Sequence, residues 1–181
     1  MTASAFGSLS LTILHQFKEN AMVWFSIPCT GGCSWQCINC KRSARSRARM
    51  QGHLSLFRQL WGSLERVLQE AHKAKARVAI ELPKSCKYWT RKDVLETLST
   101  KEYALHQCDF HGCQFGLVSC QKRTLGMPIL EPWRVTSNCT QLLVALHRRC
   151  EWNRRNGTHD GANPHAPCQG ADTQITENYI D

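Results

Sequence analysis

Apolar residues fall along this chain in short runs and helical stripes separated by polar turns. Met22-Val23-Trp24-Phe25-Ser26-Ile27-Pro28 is a continuous apolar run rich in β-formers and predicts a buried strand. Thr30-Gly31-Gly32 then supplies a turn. From Gln51 to Lys75 the pattern becomes helical, with Leu54, Phe57, Trp61, Leu64, Leu68 and Ala71 at three- and four-residue steps. Arg77 to Leu82 reads as a second strand, ended by Pro83. A shorter helix is expected from Thr90, which stands as its N-cap with Asp93 three residues on.

Further along, Tyr103–Phe110 and Gln114–Val118 predict strands around His111-Gly112, and Pro132–Thr136 predicts another. Cys139 to Arg149 reads as a helix with Leu142, Leu143 and Leu146 inward. Beyond Cys150 the apolar residues thin out and Gly, Pro and Asn take over. The pattern therefore predicts one α/β domain over residues 1–150 and a loop-rich, irregular tail over 151–181. Strands alternating with helices imply a mostly parallel sheet.

Composition adds charge and thiols to this outline. Twenty-three Lys and Arg face fourteen Asp and Glu, a net charge of +9, which favours an anionic partner. The densest basic run is Lys41, Arg42, Arg45, Arg47 and Arg49, with Trp35 nearby. Such a run neutralises phosphates, and an aromatic ring beside it stacks on bases. Nucleic acid, DNA ahead of RNA, is the expected partner. The alternative is a solvated basic surface.

Eleven cysteines cannot all be paired, because the number is odd. No basic segment followed by a long apolar core opens the sequence, and no apolar run approaches the ~20 residues of a membrane helix. The expected setting is therefore intracellular, nuclear or cytoplasmic, without a membrane, and with cysteines as thiols or metal ligands. Asn138 and Asn156 head glycosylation sequons that matter only in a secreted protein. The sequence sets no oligomeric state.

Two strand ends carry reactive groups beside prolines: Pro28-Cys29 and Glu81-Leu82-Pro83. A thiolate is a strong nucleophile, and a carboxylate inside an apolar strand has its pKa raised when buried. Cys29 is otherwise one more buried cysteine, and Glu81 otherwise an ion-pair partner of Lys84, Lys87 or Arg91. The order strand, Ser26-Ile27-Pro28-Cys29-Thr30, long helix, strand, Ile80-Glu81-Leu82-Pro83 resembles the core of the DNA cytosine-5 methyltransferase family. The resemblance implies a partial Rossmann-like methyltransferase sheet, with Cys29 attacking C6 of a flipped cytosine and Glu81 holding the ring nitrogen. It also implies S-adenosylmethionine as donor. Ser34 falls near a serine frequent in that family, and Phe115-Gly116-Leu117 through Arg123 is similar to its Tyr-Gly-Val-Pro-Gln segment. Leu82 stands where the family has Asn, and no glycine-rich donor loop precedes Met22. The resemblance is thus to a fragment or degenerate relative, of the kind carried by mobile elements.

Metal chemistry offers the rival readings. Cys33-x3-Cys37-x2-Cys40 has the spacing of radical S-adenosylmethionine enzymes, whose three thiolates hold an iron–sulfur cluster. With Cys29 the same thiols form a zinc-type set. The tail offers a second set in Cys150, His159, His165 and Cys168, and Cys108, His111 and Cys113 form a third. A zinc-stabilised, non-enzymatic nucleic-acid-binding module is the alternative that these sets support.

Overall fold

The computed structural model describes residues 21–33, 38, 40, 41, 43–151, 158, 159, 163–168 and 172. Its elements are β1 (Met22–Ser26), α1 (Ala44–Lys73), β2 (Arg77–Pro83), α2 (Lys92–Leu98), β3 (His106–His111), β4 (Pro132–Ser137), α3 (Thr140–Leu146), β5 (Thr158–His159) and β6 (Asn163–Pro164). They fall into two compact units. The first comprises Met1–Cys108 with Arg134–Val144, and the second Asp109–Trp133 with Ala145–Asp181. Residues of the tail thus belong to a unit that also draws on Asp109–Trp133.

In the first unit α1 is the dominant element. It starts seven residues before Gln51, because Ser43 caps it by accepting a hydrogen bond from Ser46 N–H at 3.1 Å. Its end is a Schellman closure: Lys75 N–H donates to His72 O and Ala76 N–H to Ala71 O, with Lys75 left-handed at φ 55°. Phe57, Trp61, Leu64, Val67, Leu68 and Ala71 are buried against Phe25, Val78, Ile80 and Leu82 of the sheet and Ile27 just past β1. Tyr88 closes this core by stacking on Phe57, with ring centroids 3.7 Å apart.

The chain is mixed α/β, but its four-stranded sheet is not mostly parallel. The strand order is β1-β2-β4-β3, and the parallel pair is β1 with β2, in register from Met22↔Arg77 to Ser26↔Glu81. The other pairings are antiparallel. Ser137 Oγ, at the end of β4, donates to Val78 O at 2.6 Å near the start of β2. Arg134, at the start of β4, lies over Trp89, which itself donates to Pro83 O at the end of β2. The reason is connectivity. A parallel neighbour requires a crossover, usually helical, as α1 provides between β1 and β2. The link from β3 to β4 contains the 3-10 turn Gly112–Phe115 and loops instead, so the chain returns antiparallel.

Three local readings also change. The strand expected over Gln114–Val118 is instead part of the 3-10 turn Gly112–Phe115 and the loop after it, with Val118 in an isolated bridge to Pro128. Thr90 does not cap α2; its hydroxyl donates to Lys87 O, closing the 3-10 turn Lys87–Thr90, and Arg91 takes the cap position. Asn138 is committed to the fold: Val78 N–H donates to its Oδ1 at 2.8 Å, and its Nδ2 donates to Ala76 O at 3.2 Å. Among the described residues no helix is long and apolar enough to cross a membrane.

Candidate functional site

Strand alternation decides where Glu81 points. Ile80 and Leu82 face the α1 core, so Glu81 lies on the other face of β2, beside Trp24 and Ser26 of β1. Trp24 Nε1 donates to its Oε2 at 2.8 Å. Burial lifts the carboxyl to about 7, with the Trp24 hydrogen bond holding it lower than burial alone would. Glu81 is therefore balanced between its two protonation states at neutral pH.

Cys29 sits elsewhere. It precedes the 3-10 turn Thr30–Gly32 and packs, half-buried, against the core on the α1 side. Gly32 N–H donates to its carbonyl at 2.8 Å. Gly32 lies so close to Cys86 and the Tyr88 ring that a Cβ there would strike the Cys86 sulfur. Burial raises the Cys86 thiol to about 11, and the nearby Cys33 adds to the rise. Tyr88 is lifted to about 12 by burial first, then by Cys86 and Cys29. The described interactions of Glu81 thus join it to Trp24, while Cys29 belongs with Tyr88 and the α1 face. A cavity of about 240 Å³ opens at this end of β1, lined mainly by Phe25, Ile27, Pro28, Leu60, Leu64 and Val67. Neither Cys29 nor Glu81 lines it.

The basic run falls on the approach to α1 and its first turns. Lys41 is exposed ahead of the helix, and Arg45, Arg47 and Arg49 are exposed on it. Arg45 and Arg49 share one face at i, i+4 spacing. Arg42 and Trp35 lie outside the described residues, as does Cys37 of the Cys33–Cys37–Cys40 set. Cys33 and Cys40 are half-buried.

The second unit brings together groups that are far apart in sequence. Cys113, Cys150 and His165 place one sulfur or nitrogen each within 4.8 Å of one another. Cys150 Sγ and His165 Nε2 are 3.5 Å apart. Both thiols are buried and His165 is half-buried. Each is held through a backbone bond at or beside it. Gly112 N–H donates to Glu131 O at 3.0 Å, setting the turn that carries Cys113. Cys150 N–H donates to His111 Nδ1 at 2.9 Å. Ala166 N–H donates to Pro128 O at 2.8 Å, next to His165.

Cys168, expected with Cys150 and His165, instead bonds Glu131. Burial and the Glu131 carboxylate push its thiol to about 12, so it stays protonated. One residue of this unit escaped the sequence reading. Asp172 is buried and accepts from Ser119 Oγ at 2.7 Å, Cys120 N–H at 2.9 Å and Gln121 Nε2 at 2.8 Å. Burial alone would raise its carboxyl; these bonds overcome that and hold it at about 2. An aspartate in a polar tail carries no periodic signal that would mark it.

Comparison with known proteins gives no similar family model, curated protein or solved structure.

Proposed function

We propose that this chain is a non-enzymatic DNA-binding protein that grips phosphates along the exposed start of α1. The observation that carries the reading is the division of charge between the units. The first holds seventeen Lys and Arg against seven Asp and Glu, the second six against seven. The whole cationic excess therefore lies in the first unit, and its densest run is Lys41 to Arg49. The position of that run is itself informative. Cations at a helix N-terminus oppose the helix dipole, each by roughly 0.3–1 kcal/mol, and the first turn of α1 carries no acidic residue. A sequence selected for helix stability alone would place carboxylates there.

The test sets stability against binding. Arg45→Glu is expected to stabilise the protein by roughly 0.5–1 kcal/mol while weakening its binding to duplex DNA. Replacing Arg45, Arg47 and Arg49 together by Gln, a comparable helix former, is expected to weaken binding by about 30- to 100-fold at low salt. Unfolding and fluorescence-anisotropy titrations read the two effects. Unchanged affinity in the triple variant would remove this surface from the account.

A second reading rests on Glu81. A carboxyl lifted to about 7 can hold a proton at the ring nitrogen of a base, as the methyltransferase resemblance requires. In that reading Cys29, which packs on the α1 side and not on the Glu81 face of β2, would have to reach the same base as nucleophile, with S-adenosylmethionine as donor. Methyl transfer that survives Cys29→Ala would rule this mechanism out.

A further inference from the structure

We propose that Cys113, Cys150 and His165 are ligands of a structural zinc ion that ties the second unit together. The proposal goes beyond the DNA-binding reading and does not depend on it. Its first support is convergence: three segments remote in sequence deliver two thiols and an imidazole to one point. Its second is geometry. A tetrahedral zinc with bonds of about 2.3 Å to sulfur and about 2.05 Å to nitrogen separates the two ligand atoms by about 3.6 Å. Cys150 Sγ and His165 Nε2 are 3.5 Å apart.

The third support is donor chemistry. Two thiolates and an imidazole form a soft set that suits zinc and disfavours magnesium or calcium. The fourth is need. Among the described residues one apolar cluster of this unit is small, with Leu117, Ile129 and Ala166 buried and Met127 and Cys168 packed on them. Units below ~70–80 residues commonly require a metal or disulfide to supplement such a core.

Three donors leave one tetrahedral corner. Binding would release the protons of both thiols, since the ligands are thiolates.

The experiment is metal analysis of the full chain, expressed with zinc and purified without chelator. Wild type is expected to carry about one zinc per chain. Cys113→Ser and Cys150→Ser should each lose it, while Cys168→Ser and the Cys33→Ser, Cys40→Ser pair should retain it. Should the ligand variants fail to fold, zinc is titrated into chelator-stripped wild type, and thiol alkylation is mapped by mass spectrometry. Protection by zinc confined to Cys113 and Cys150 supports the site. Metal-free wild type that takes up no zinc, zinc retained by the Cys113→Ser, Cys150→Ser pair, or protection confined to Cys33 and Cys40 overturns it.

Discussion

Trp61→Ala is expected to destabilise the protein by about 3–5 kcal/mol, the range for deleting a large buried aromatic. Trp61 is 2% exposed at the centre of the α1 face. Its ring stacks near Phe57, with centroids 5.7 Å apart, and Phe57 in turn stacks on Tyr88. Its Nε1 donates to Thr97 Oγ1 at 3.3 Å, and the Thr97 hydroxyl donates to Glu65 at 2.6 Å. Alanine would leave a cavity and also remove the donor that Thr97 accepts. Domains of this size are stable by only about 5–15 kcal/mol, so one substitution removes a large share. Trp61→Phe separates the contributions: it keeps most of the packing and loses the hydrogen bond, worth about 1 kcal/mol. Urea unfolding reads both. A loss below about 1 kcal/mol for Trp61→Ala would mean that this face of α1 is not the centre of the core.

Glu81→Gln is expected to stabilise the protein at high pH and to leave it unchanged at low pH. The carboxyl is lifted from its ordinary 4.5 to about 7 in the folded state. Below the unfolded pKa it is protonated in both states, and burial adds no ionisation penalty. As pH rises from 4.5 towards 7, the unfolded chain ionises more readily than the folded one, and stability falls. Above 7 the loss levels off at about 3 kcal/mol, at 1.36 kcal/mol per pKa unit. Glutamine stays neutral throughout, and its side-chain oxygen still accepts from Trp24. Unfolding free energies of the two proteins should therefore agree near pH 4 and diverge up to neutrality. Parallel pH profiles would show that Glu81 is not held in a desolvated site.

Some of the fold was legible because it is written locally. β1, α1, β2 and β4 each carry their own hydrophobic pattern; the strands form within a few residues of their expected bounds, and α1 does so at its end but starts seven residues early. The sheet topology was not legible in the same way. Whether β4 lies beside β2 depends on pairing between segments some sixty residues apart, and no local pattern distinguishes its direction. The polar closure by Ser137 and Asn138 that fixes it involves residues with no strand signal.

The candidate sites divide along the same line. The burial of Glu81 could be read from its apolar neighbours, but its separation from Cys29 follows from which face each residue joins. The spacing of thiols and histidines toward the tail suggested Cys150, His159, His165 and Cys168 as companions. The fold keeps Cys150 and His165 together, gives Cys168 to Glu131, and brings in Cys113 from the turn after β3. Short-range spacing could not supply that partner, because the contact exists only once the second unit has formed.

The most direct test of the DNA-binding account is the salt dependence of binding to a short duplex, for wild type and for the variant with Arg45, Arg47 and Arg49 replaced by Gln. The account predicts that wild-type affinity falls steeply with salt, with a logarithmic slope of roughly −3 to −4.5 for three to five neutralised phosphates. It further predicts that the slope of the triple variant is shallower by roughly three. A wild-type slope near zero, or the same slope in both proteins, would contradict it.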